Sequence, residues 1–144
     1  MAASKSTDVA MELLANIDVD DVAVATDFYC RALNLTVGRR FGDSGVELLG
    51  ASSAIYLLEK PAGTVACHAA GSTRHYGRHW TPVHLDFVVP DIHEACARAQ
   101  AAGATPEGPL RTHAWGHIAV FADPFGHGFC LIQFLNRGYD EIAS

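Results

Sequence analysis

The chain has 144 residues, with ten Lys and Arg against sixteen Asp and Glu, a formal charge of −6 and 49% hydrophobic side chains. That length suits one domain, able to bury about two-thirds of its unfolded surface without disulfide staples. No basic cluster is dense enough to follow a phosphate backbone, which argues against nucleic acid as partner, and no apolar run approaches the roughly 20 residues of a membrane span.

Residues 1–10 read as a flexible tail that lacks the apolar core of a secretory signal. Residues 11–60 form a first unit. A strand over 13–19 leads into Asp20-Asp21, a helix start, and then 22–33 carry apolar residues at helical spacing, with Asn34 suited to a left-handed helix end. Extended runs follow at 36–41, 45–49 and 54–59. Residues 61–81 are a long connection, Gly- and Ala-rich early and carrying Arg74, His75, Tyr76, Arg78, His79 and Trp80 late. Its length suits a lid, an oligomer contact or slack.

Residues 82–138 repeat the plan. A strand over 83–89 precedes Asp91, a helix over 92–102 ends at Gly103, and extended runs occupy 111–113, 117–122 and 129–134. Asp21-Val22 and Asp91-Ile92 lie 70 positions apart. The last two runs are joined by Asp123-Pro-Phe-Gly-His-Gly128, where Asp123 can cap the turn, Pro124 presets φ, and Gly126 and Gly128 permit backbone angles closed to side chains. Residues 139–144 read as a C-terminal tail.

The fold class is therefore α+β, built from two strand–helix–three-strand modules. One such module leaves a sheet face bare, so two together enclose a cup. Strand alternation turns His84 and Asp86 into the cup and Val83, Leu85 and Phe87 under the helices. On the closing strand Phe129, Leu131 and Gln133 share one face, and Cys130, Ile132 and Phe134 the other. The four cysteines, Cys30, Cys67, Cys96 and Cys130, make no CxxC pair. Reduced thiols and a cytoplasmic location follow more readily than a disulfide framework or a closed zinc site.

This paired plan resembles the vicinal oxygen chelate superfamily of glyoxalase I, bleomycin and fosfomycin resistance proteins and extradiol dioxygenases. The resemblance rests on Asp27-Phe28-Tyr29 with Ala32-Leu33-Asn34-Leu35, then on His84, Ala102-Gly103-Ala104 and Asp123-Pro124-Phe125-Gly126. It implies a βαβββ pair forming a cupped mixed sheet, a small-molecule ligand and a homodimer. In enzymes of the superfamily a divalent metal sits in the cup, held from the first and last strand of each half. Those positions fall here on Leu14, near Tyr56, on His84 and on Cys130; only His84 matches.

The resemblance, less that metal, implies a glyoxalase- or bleomycin-resistance-like protein that binds a small organic molecule. No cofactor is expected under this reading. Its candidate site comprises Asn16, Asp18, Tyr56, His84, Asp86, Trp115 and Cys130. His84 is the candidate acid–base residue, and also the one matched metal position. A divalent-metal-dependent lyase, isomerase or dioxygenase is the alternative, using His84 with displaced oxygen ligands such as Asp18, Glu59 or Asp86. A non-catalytic module docking a partner through 61–81 is a third. The plainer readings stand beside these: His84 hydrogen-bonded in a polar pocket, Cys130 a small apolar filler, and the aromatics packing the module junction. His127 is expected at the rim or in solvent, and His117, Trp115 and Trp80 bordering the cup mouth.

Overall fold

The computed structural model describes residues 11–144; the expected tail at 1–10 lies outside the described residues. Two modules follow each other along the chain. In the first, strand β1 (Ala15–Val19) leads to helix α1 (Val22–Leu33) and then to β2 (Thr36–Phe41), β3 (Gly45–Leu49) and β4 (Ile55–Glu59). In the second, β5 (Leu85–Val88) leads to α2 (Ile92–Ala102), two short strands β6 (Thr105–Pro106) and β7 (Arg111–His113), then β8 (Gly116–Ala122) and β9 (Gly128–Phe134). A 3-10 turn, Gly138–Glu141, follows.

Each module makes its own sheet, ordered β1-β4-β3-β2 and β5-β9-β8-β6, with β7 also paired to β8. The first strand pairs parallel to the last in both, Asn16 facing Tyr56 and Asp86 facing Cys130 across the ladders. The α+β fold and the two-module plan are thus as expected.

Local chemistry explains the helix limits. Asp21 and Asp91 are extended N-caps whose carboxylates accept from Val24 N and from His93 N and Glu94 N, while Asn34 (φ 56°) and Gly103 (φ 119°) close the helices in the left-handed region. A second cap comes from far along the chain. Glu59 Oε1 accepts from Val22 N at 3.0 Å, and Gln133 Oε1 from Ile92 N at 2.9 Å. The last residues of β4 and the end of β9 therefore seat the helix starts of their own modules in the same way.

One continuous core joins the modules on the helical side. Phe28, Tyr29, Leu57, Ile92, Phe121, Phe125 and Leu131 are all buried in it. Phe28 meets Tyr29 and Phe125 edge-on, with centroids at 4.8 and 6.2 Å. Fully burying such a side chain contributes about 1.5–3 kcal/mol.

Three expectations change. Val83 is 84% exposed rather than packed under a helix, because the β5 ladder begins only at Leu85–Phe129. Gly128 has no left-handed φ. Its missing side chain makes room instead for Trp80, since a Cβ there would stand 2.3 Å from the indole Cε3. Gly126, at φ 91°, does need its freedom, and its Cα is also pressed by Gly77 O, 2.3 Å from a notional Cβ. His127 is half-buried rather than in solvent, its Nε2 2.7 Å from Asp18 O in the other module.

Candidate functional site

The sheet faces turned away from the helices carry the polar chemistry. In the second module this face presents His84 just before β5, then Asp86 and Val88, beside Gly128, Cys130, Ile132 and Phe134 of β9. One nitrogen of His84, one carboxylate oxygen of Asp86 and Cys130 Sγ all lie within 4.8 Å of one another. It is the one group of three such side chains found among the described residues. His84 Nδ1 stands 3.1 Å from Asp86 Oδ1, and both side chains are about one-third exposed, at 31% and 37%.

Cys130 is 3% exposed. Burial pushes its thiol up to about 11, helped by the charge of the Asp86 carboxylate and by a hydrogen bond to it. It stays a protonated thiol at neutral pH, which fits a filler that also donates to Asp86 and not an activated nucleophile.

The corresponding face of the first module holds a different cluster. Glu47 is buried in β3, where its carboxylate accepts from Arg39 Nε at 3.0 Å, Arg39 Nη2 at 2.6 Å, Arg39 N at 3.0 Å and the Tyr56 hydroxyl at 3.0 Å. The Arg39 side chain, then its backbone N–H, hold Glu47 down to about 2. A bulge between Val37 and Arg40 turns Arg39 onto this face, and Gly38 leaves the space, since a Cβ there would meet Glu47 Oε1 at 2.6 Å. Of this group only Tyr56 figures among the expected site residues; Glu47 and Arg39 do not. Its signal was a lone glutamate in the run Gly45-Val-Glu-Leu-Leu49.

The remaining expected residues are distributed as follows. Asn16 is exposed on β1; Asp18, two residues on, is paired with Arg74 at 2.8 Å. Glu59 is occupied by the start of α1. Trp115 stacks on His113 at 5.2 Å and meets Tyr139 at 5.2 Å, at the far end of β9 beside Phe134. Cys130 and Phe134 are four residues apart on that strand, roughly 13 Å. His117 faces the helical side, with His93 6.1 Å away and Thr112 Oγ1 2.8 Å from its Nδ1, rather than the cup mouth. Trp80 does border the site, its ring centroid 4.8 Å from that of His84. The structure thus brings together His84, Asp86 and Cys130, and separately Tyr56 with Glu47 and Arg39.

An oxygen-ligated metal does not fit the four positions that the superfamily uses. Leu14 offers no donor from its side chain. Tyr56 is committed to Glu47 and Arg39, and Cys130 supplies sulfur where oxygen ligands would be needed. Only His84 remains.

Two βαβββ modules with this strand order make the fold of the vicinal oxygen chelate superfamily. The chain belongs to the glyoxalase-like domain family, whose profile matches residues 15–132. It is 33% identical over 139 residues to an uncharacterized protein of Mycobacterium bovis, covering 92% of this chain and 90% of that one. A Mycobacterium tuberculosis protein, also uncharacterized, is 33% identical over 139 residues, with 92% and 80% covered. Among solved structures, the fosfomycin resistance protein FosX of Listeria monocytogenes superposes with a TM-score of 0.70 at 19% identity, over 94% of this chain and 99% of that one. One FosX structure holds Mn(II) and 1S,2S-dihydroxypropylphosphonic acid. TioX of Micromonospora sp. ML1 superposes with a TM-score of 0.65 at 21% identity, over 88% and 100%. At these identities the likeness establishes the fold. Among the described residues no helix is long and apolar enough to cross a membrane.

Proposed function

We propose that this protein binds a small organic molecule on the concave face of its second module, through His84, Asp86 and Cys130, without the oxygen-ligated divalent metal found elsewhere in the superfamily. The observation that carries the reading is the convergence of those three side chains within 4.8 Å. With its Nδ1 hydrogen directed at Asp86, His84 keeps a lone pair on Nε2 that accepts from the ligand or takes its proton. Asp86 then stabilises the imidazolium. Asn16, Asp18 and Tyr56, on the corresponding face of the first module, belong to the same reading as further ligand-binding residues, and Trp115 as an aromatic end to the face.

A thermal-shift screen of small organic acids, amines and aromatic compounds against chelator-treated protein tests this. Compounds that raise the melting temperature of the wild type and not of His84→Ala support it. Hits that survive both His84→Ala and Asp86→Asn would contradict it.

One observation favours a second reading, a metal-dependent lyase, isomerase or dioxygenase. Imidazole, carboxylate and thiol within 4.8 Å are a donor set for zinc rather than for manganese or magnesium. Under it, zinc raises the melting temperature of the wild type and fails to do so in Cys130→Ser.

A homodimer in the cytoplasm completes the proposal. Leu49, Val88 and Phe134 lie on the sheet faces turned away from the helices and are 43%, 59% and 38% exposed, which is apolar surface that a second copy would cover. Light scattering on the purified chain reads the mass; a monomer at micromolar concentration would remove this part.

A further inference from the structure

The connection between the modules ends in a segment, residues 74–80, that is fastened at nearly every step. Arg74 pairs with Asp18 at 2.8 Å, the Tyr76 hydroxyl donates to Lys60 O at 2.6 Å, and His79 N donates to Gly126 O at 3.0 Å. Arg78 donates to both carboxylate oxygens of Glu107 and to Gly126 O. The two glycines of the β8–β9 turn admit the segment. A Cβ on Gly126 would meet Gly77 O, and one on Gly128 would meet the Trp80 ring, both at 2.3 Å. This is a strap laid across the turn.

The strap delivers Trp80 to His84. Arg78 Cζ lies 5.7 Å from the indole centroid, and the indole lies 4.8 Å from the imidazole, inclined by 39°. His84 needs such support. It precedes β5, outside the ladder whose first pair is Leu85 with Phe129, so β9 does not hold its backbone.

We propose that Trp80 is a positioning residue for His84: the strap presses the indole against the imidazole and fixes the orientation in which Nδ1 meets Asp86 and Nε2 is left for the ligand. The inference rests on His84 being the ligand-facing residue. It adds that the connection serves the site by ordering that residue, and that Gly128 belongs to the same device because only glycine lets the indole approach.

Nitrogen-15 NMR of full-length protein labelled at histidine tests it without any ligand, with His84 assigned through His84→Gln. In the wild type and in Trp80→Phe, neutral His84 is expected as a single tautomer protonated on Nδ1, with ring protons shifted by the neighbouring aromatic ring. In Trp80→Leu that tautomer preference and that shift are lost while the other histidines keep their signals. Gly128→Ala, which leaves the indole in the chain and displaces it, gives the same loss and serves if Trp80→Leu fails to fold. Unchanged His84 tautomer and ring-proton shifts in either variant would overturn the proposal. The reading of His84 as ligand-facing fails separately, through compounds that bind wild type and His84→Ala alike.

Discussion

The Tyr29 hydroxyl of α1 donates to the carboxylate of Asp123 in the β8–β9 turn, a buried bond between the two modules. The same Asp123 accepts from Phe125 N and His127 N, each at 2.8 Å. The aspartate of the Asp-Pro-Phe-Gly run thus shapes its own turn and ties that turn to the other module. Its role is structural, which is why a motif that marks the superfamily says so little about what a member does.

Replacing Tyr29 by Phe leaves a buried carboxylate short of one donor without opening a cavity. The expected loss is roughly 1.5–3 kcal/mol, the range for hydrogen bonds to charged groups. Urea denaturation at pH 7 reads it as a lower midpoint at unchanged slope. A loss within error would mean that the bond contributes nothing net to joining the modules.

The Glu47 cluster gives a pH signature. Arg39 holds the folded-state carboxyl down to about 2, from an ordinary 4.5. A depressed acid contributes stability that is complete above the unfolded value and is lost as pH falls toward the folded one. The difference in urea midpoint between wild type and Glu47→Gln is therefore constant above pH 5 and shrinks between pH 4.5 and 2. A difference that does not change across that window would show that the carboxylate is not paired as described.

Cys130 should be among the slowest thiols to react. With its thiol pushed up to about 11, only about one in a thousand is ionised at pH 8. Timed alkylation with iodoacetamide, followed by peptide mass spectrometry, is expected to label exposed Cys67 first and Cys130 about 100-fold more slowly or not at all. Preferential labelling of Cys130 in the folded protein would identify an activated thiolate and reopen a nucleophilic role.

What could be read in advance follows the range of the interactions. Both helices were legible to the residue because their limits are set locally, by Asp21 and Asn34 and by Asp91 and Gly103. Alternation gave which residues share a face of β9, and the ladder pairs Asp86 with Cys130. Contacts that depend on distant chain were not legible. Val83 looked like a strand residue until its ladder partner proved to be missing, and Gly128 looked like a turn glycine until Trp80 occupied the space above it. Arg39 joins Glu47 through a bulge that a plain alternation pattern misassigns. Glu59 resembled a displaced ligand, yet its carboxylate is spent on Val22 N, 37 positions earlier.

The central claim is that ligand binding here has replaced oxygen-ligated metal chemistry around His84. Elemental analysis of protein purified without chelators measures it most directly. The account predicts Mn, Fe, Ni and Zn well below one equivalent per chain and unchanged in His84→Ala. One equivalent of any of them, lost in His84→Ala, would contradict it.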